Sequence, residues 1–451
     1  MASSAPAATV GLSIAALAAA TAYGAGAVLI LTAIPMLIIA NAYRRLNLWN
    51  ANCGATFEWV GRAINPYLGF LTGWLMVAAY IVGTTAEVLL LGPSVLAVFG
   101  STAENKGAYI GIGILVGVIM LIIAIVGIRI TARTQVGIAL IEYLILIGLA
   151  VAGLVYAFSH HVGMAAHPSA SWLNPSGVSG LGGSAVAGFL SAVFVYGGWD
   201  GTLYVNEEVK HRRVNPGRAA IIAVALLAVI YTLSQVGLQG VLTGKQLSQA
   251  SEQGTVLVTA AQVLGGGFWA KAMALSIALS VIATTGTGIV LGARLVYGMA
   301  SYRALPGFLS NVSRRWATPV YASVIVGVLI IALSAVYFLA TSVQSAFDDV
   351  IAVVGFMFSI FYIMTALAAM AYYRRRILRS VGDFISIGLL PLGAAVFLGW
   401  VLVKSILSAG AALNWSLVGI IAVGIVLMFL ARFVFKSPFF QIRRESDMQE
   451  S

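Results

Sequence analysis

The chain has 451 residues, 61% hydrophobic and only 9% charged, about a third of the ~25% charge content of soluble domains, so no stretch is left for a soluble catalytic or binding domain. The net charge of +11 sits in short clusters between apolar runs rather than in a basic stripe, which argues for orientation in a membrane and against a nucleic-acid partner. A single cysteine, Cys53, rules out an intrachain disulfide, and His160, His161, His167 and His211 lie outside the apolar runs with no helical pairing to an acid, so no metal site is expected.

Apolar runs of about 20 residues, the length at which a helix crosses a ~30 Å hydrocarbon layer, recur from end to end. Twelve spans are expected, at 2–22, 24–43, 68–98, 106–128, 134–158, 184–209, 217–241, 268–299, 317–340, 349–373, 384–407 and 413–435. If the first runs inside to outside, 21 of the 25 Lys and Arg fall on the cytoplasmic side, and only Lys106, Lys245, Lys271 and Lys404 face outward. That asymmetry satisfies the positive-inside rule at every reversal. The expectation is a multi-pass protein of the cell's inner or plasma membrane with both termini cytoplasmic. Residues 44–67 read as an amphipathic inner loop, and 245–266 contain a short external helix long enough to form a lid over an outer vestibule.

In the first span, Pro6 removes a backbone donor and Gly11 permits a kink. Only a few residues precede Pro6, fewer than an inner half-helix of ~12 Å needs at 1.5 Å per residue. Met1 is therefore expected to be an internal methionine of a longer product, or the chain a truncated form. On the third span Tyr80, Thr84 and Glu87 fall at i, i+4 and i+7, a polar face on an apolar helix. Glu87, Glu142 and Asp200 lie within spans, where a carboxylate costs at least ~2.5 kcal/mol and is a functional candidate by default. Glu87 could instead bond a neighbouring helix while protonated, and Glu142 lacks polar companions on its own helix. In the sixth span Gly197, Gly198 and Gly201 surround Trp199 and Asp200. An unwound backbone is tolerated in lipid only where it faces protein or water. The glycines therefore mark either a helix break whose exposed termini bind ions or zwitterions, or merely close helix packing. Breaks in spans one and six, five apart, predict a five-plus-five inverted repeat with its site near the midplane.

Three stretches carry a family resemblance. "GGWDGTLYVNEEVKHRRVNPGRA" at 197–219 resembles the sixth-helix signature of the amino acid, polyamine and organocation (APC) transporters. "GARLVYGMASYRALPGFLSNVSRRWATPVYA" at 292–322 is similar to that family's passage from helix eight into nine, and "NPYLGFLTGW" at 65–74 to its entry to helix three. The resemblance implies that exposed backbone of helices one and six holds the substrate's carboxylate and amino groups, here Ser4, Ala5, Pro6, Ala7, Ala8 and Thr9 with Phe194, Val195, Tyr196, Gly197 and Gly198. It places Phe194 at an aromatic gate and Asp200 at a gating acid, and sets Tyr80, Thr84 and Glu87 on the pocket wall. The usual Gly-Ser-Gly of helix one is replaced by "SAPAATVG". Gly288 stands near a position that carries a second aromatic in the family's arginine/agmatine antiporter, implying a wider pocket. Helix five has no lysine to stand in for sodium. Thr284, Thr285 and Thr287 are candidate sodium ligands or small packing residues.

The fold expected is thus an all-α integral membrane protein of about 12 transmembrane helices with a LeuT-like 5+5 inverted repeat. It divides into 1–158 and 184–373 as the two repeats, 384–436 as helices eleven and twelve, and 437–451 as a cytoplasmic tail. The function expected is secondary active transport of amino acids or related amines by alternating access, with a lean to cationic substrates. Phe194 and Trp199 would close over the substrate, while Glu87 and Asp200 meet a cation or relay a proton. The alternative is a sodium-coupled neutral amino acid symporter. No cofactor is expected, the driving force being a proton or sodium gradient, and the partners are a small amino acid or amine and the lipid bilayer, with the protein a monomer or homodimer. An intramembrane enzyme would need a nucleophile and base or a metal set at matching depth. A channel would need a filter or charged ring.

Overall fold

The computed structural model describes residues 24–101, 105–126, 128–159, 170–174, 183–243, 245–246, 249–250, 255–340 and 343–442, together with Ala7, Thr9, Val10, Leu17 and Thr21. All regular structure among the described residues is helical. In chain order the principal helices are α1 (Ala25–Trp49), α2 (Thr56–Ala63), α3 (Pro66–Val88), α4 (Leu91–Val98), α5 (Lys106–Val126), α6 (Ile128–Ser159), α7 (Gly183–Val195), α8 (Asn215–Gln239), α9 (Val256–Ser301), α10 (Val320–Ala340), α11 (Val343–Tyr372), α12 (Leu390–Ser408) and α13 (Ala411–Phe429).

Their boundaries follow local chemistry. The Asn65 side chain accepts the Tyr67 N–H at 2.8 Å, and Pro66 fills the first turn of α3, where its missing donor costs nothing. Pro216 does the same at the start of α8. Gly265 and Gly266, the latter at φ 76°, interrupt α9 between its first nine residues or so and the apolar length that follows.

Ten helices among the described residues are long and apolar enough to cross a membrane, two fewer than the twelve spans counted from sequence. The first counted span, 2–22, falls almost wholly outside the described residues. The sixth is not one helix: α7 has only 13 residues before the backbone leaves helical geometry.

Burial sorts the helices into a core and a rim. The stretch Pro66–Val98 is largely buried and Ala411–Val434 largely exposed. Accordingly α3 packs against α9, α11 and α13, and α1 against α7, α8, α11 and α12. Exposed Leu144 of α6, Leu407 of α12 and Trp415 of α13 lie on the outer faces, where hydrocarbon tails satisfy them as well as protein would. At the arginine-rich end, α2 is clamped by the segment Pro438–Gln441. Phe439 stacks on Phe57 with ring centroids 4.1 Å apart, and Ser437 Oγ donates to the Tyr302 carbonyl at 2.6 Å.

Candidate functional site

The break in the sixth span is built by two glycines with different duties. Gly198 sits at φ 90°, a left-handed conformation that costs a side-chain-bearing residue about 1–2 kcal/mol. Gly197 has no room for a Cβ, because the Phe358 ring of α11 already stands where one would go. The chain tightens as α7 ends, Gly197 N–H donating to the Phe194 carbonyl at 2.8 Å, and resumes as a 3-10 turn over Trp199–Leu203.

A cavity of about 40 Å³ opens beside this break. Phe194, Gly197 and Gly198 form one wall, Ala79, Tyr80, Gly83, Thr84 and Glu87 of α3 a second, and Thr284 and Gly288 of α9 with Phe358 and Thr9 the remainder. A cavity needs ~10–15 Å³ on this scale to hold one water, so this one has room for a few waters and an amino acid fits only if the walls move. On the Gly288 side Thr84 packs close, with its hydroxyl where a Gly288 Cβ would stand. Glu87 is buried, and its Oε2 has no hydrogen-bond partner among the described residues. Phe194 stacks on Phe358 at 6.5 Å.

The other expected site residues are distributed differently. Ser4, Ala5, Pro6 and Ala8 lie outside the described residues. Val195 and Tyr196 do not line the cavity; the Tyr196 hydroxyl turns to α1 and donates to the Leu29 carbonyl at 3.0 Å. Trp199 is buried between Tyr362, on which it stacks at 5.4 Å, and Tyr43. Asp200 is fully buried and accepts from Tyr204, from Tyr362 at 3.3 Å and from Tyr80 at 3.4 Å. Tyr80 therefore belongs to both the cavity wall and the Asp200 cluster. Thr284, Thr285 and Thr287 each return their hydroxyl to the carbonyl four residues back, at 2.9, 2.7 and 2.8 Å, and of the three only Thr284 lines the cavity.

Several contributors were not singled out from the sequence. Phe358 and Tyr362, one turn apart on α11, bring an aromatic to each side of the break, and their i, i+4 spacing is the pattern that could have exposed them. Glu142 of α6 accepts the Ala7 N–H at 2.5 Å and the Ser280 hydroxyl of α9 at 2.6 Å. The partners it lacks on its own helix come from two others.

A second cavity, of about 720 Å³, lies at the arginine-rich end. Its walls include Cys53, Tyr204, Glu207, Glu208, Arg294, Tyr297 and Arg315. Arg294 Nε donates to Glu208 Oε1 at 2.9 Å, tying α9 to the segment after the break. Tyr204 thus reaches both this cavity and Asp200.

Comparison with known proteins agrees with this architecture. The family model described as "Amino acid permease" matches residues 1–429. The Asc-type amino acid transporter 1 of Mus musculus is 31% identical over 153 residues, 34% of this chain and 27% of that protein. The vacuolar cationic amino acid transporter 4 of Arabidopsis thaliana is 24% identical over 297 residues, 63% of this chain and 48% of that protein. The chain thus spans between about a quarter and a half of the length of these curated relatives. A crystal structure of the Eremococcus coleocola manganese transporter superposes with a TM-score of 0.54 at 12% identity, covering 96% of this chain and 94% of that one, a likeness of fold alone.

Proposed function

The chain belongs to the amino acid permease family, and on that premise we propose that it is a secondary carrier moving amino acids or related amines across a cell membrane by alternating access. The observation that carries this reading is the small cavity enclosed by the glycine break of the sixth span, the polar face of α3 and Thr9. Backbone freed from helical pairing supplies donors and acceptors for a zwitterion's ends, and Glu87 supplies an acceptor for an ammonium. The larger cavity at the arginine-rich end would be the cytoplasmic vestibule, a reading supported by the clustering of basic residues there, and on it both termini would be cytoplasmic. Curated relatives named for cationic and for Asc-type amino acid transport support the substrate class. The unpartnered Glu87 oxygen leans it toward cationic or amine substrates.

Thr284, which lines the cavity, supports sodium coupling as a second reading. Counterflow in proteoliposomes tests the carrier. Labelled amino acid should accumulate against unlabelled amino acid held inside, which neither a channel nor an enzyme does. Repeating the assay with sodium replaced by choline, and then across a pH step, separates the two couplings. Absence of counterflow for every amino acid and amine tried would defeat the reading.

A further inference from the structure

The broad cavity, at about 720 Å³, falls within the ~300–1,000 Å³ of small-molecule sites. Four charged side chains line it, Arg294 and Arg315 against Glu207 and Glu208, so its walls carry both signs in balance. Arg294 is deeply buried, only 3% exposed. Its Nε is taken by Glu208 Oε1 at 2.9 Å, while its Nη1 and Nη2 have no hydrogen-bond partner among the described residues. Those two nitrogens form the end of the guanidinium fork, an edge that matches the two oxygens of a carboxylate. Charged donors held out of water without acceptors are costly, and such groups in a folded protein call for a partner. Glu207 supplies the opposite pole. It accepts the Cys53 N–H at 3.2 Å and takes part in no salt bridge among the described residues.

We infer that the broad cavity is a second binding site for an α-amino acid, with the carboxylate on Arg294 Nη1 and Nη2 and the ammonium on Glu207. The inference rests on the carrier reading for the class of ligand, and on the cavity's own walls for the site. Glu207 is the chain neighbour of Glu208, which holds Arg294, so the two poles are neighbours along the wall. The balance of charge selects a zwitterion. A polyanion drawn to the arginines meets two carboxylates in the same wall, and a polyamine drawn to the glutamates meets two arginines. Tyr204, Tyr297 and Trp316 give an aromatic lining for an apolar side chain. Tyr204 also donates to Asp200, as does Tyr80 of the small cavity, so one hydrogen-bonded link joins the two sites.

Val312, exposed in the wall of the broad cavity, carries the probe. The Cys53→Ala/Val312→Cys variant has a single thiol, and its alkylation by N-ethylmaleimide is timed by mass spectrometry with leucine, 4-methylpentanoic acid or 3-methylbutylamine present. Leucine should slow the labelling. The acid lacks the ammonium and the amine lacks the carboxylate, so each should need a roughly tenfold or greater concentration for the same protection, one charge-assisted contact being lost. Adding Arg294→Gln should raise the leucine concentration required by roughly ten- to a hundredfold. Glu207→Gln, at an exposed position, should weaken protection by leucine and by the amine while leaving the acid unchanged, and it decides alone if Arg294→Gln does not fold. Protection undiminished by these variants would be relayed from the small cavity and would overturn the inference, as would equal protection by all three ligands. Counterflow measured on the same protein keeps the two readings apart. Counterflow without protection by leucine overturns the second site and leaves the carrier; protection without counterflow supports the site and defeats the carrier reading.

Discussion

Glu87, Glu142 and Asp200 lie well inside the apolar spans, and each has a different neighbourhood. Asp200 accepts from three tyrosines, Glu142 joins the chain's start to α9, and Glu87 keeps an unpartnered oxygen at the cavity. A sequence treats them alike, since burial cost depends on depth and partners lie on other helices. The structure separates the Asp200 cluster, whose acceptors are taken up by its own protein, from Glu87, which alone of the three lines the small cavity. Glu87→Gln should therefore cost cationic amines about ten- to a hundredfold in affinity, the scale of a charge-assisted hydrogen bond, while neutral amino acids lose far less. Titration calorimetry with both classes checks this; equal losses would assign Glu87 a packing role.

Among the elements, the break between α7 and the following 3-10 turn depends on the close approach of α11. A methyl group at Gly197 would overlap the Phe358 ring, so Gly197→Ala must push α7 and α11 apart. Overpacking of this kind costs typically ~1–3 kcal/mol, and here it also displaces a wall of the cavity. We expect Gly197→Ala to lower thermal stability and abolish transport. Adding Phe358→Ala removes the obstacle, so the double variant should recover stability, with a coupling above ~1 kcal/mol in a double-mutant cycle. Simple addition of the two losses would mean that the glycine is required for backbone freedom and not for space.

Across the whole molecule, Asp200 links a narrow cavity, through Tyr80, to a broad one at the arginine-rich end, through Tyr204. The chain's one cysteine reports on the broad cavity. Cys53 is buried in its wall, and its N–H donates to Glu207 Oε1 at 3.2 Å. Burial first, and then the carboxylates of Glu207 and Glu58, hold its thiol above the usual range. The thiolate is the reactive form, and a raised pKa makes it scarce at neutral pH. Alkylation by a membrane-permeant maleimide should be slow at pH 7 and climb about tenfold per pH unit through pH 9 without levelling. Levelling near pH 8.5 would show an ordinary, solvated thiol.

Hydropathy and charge by themselves determined the membrane setting and the helical class, and the glycines around Trp199 and Asp200 marked the sixth span as the candidate for a break. A backbone in hydrocarbon must satisfy its own hydrogen bonds, and so apolar length and its interruptions are written locally. The polar face of α3 was equally legible, because Tyr80, Thr84 and Glu87 repeat at helical spacing along one element. What belonged to contacts between elements was not. Phe358 against Gly197, Thr84 against Gly288, the tyrosines around Asp200 and the grip of Glu142 on Ala7 join residues distant in the chain. Their meaning comes from helix packing, which brings side chains of unrelated spans within hydrogen-bond reach. Tertiary structure alone decided which buried acids are partnered by the protein and which one faces the cavity.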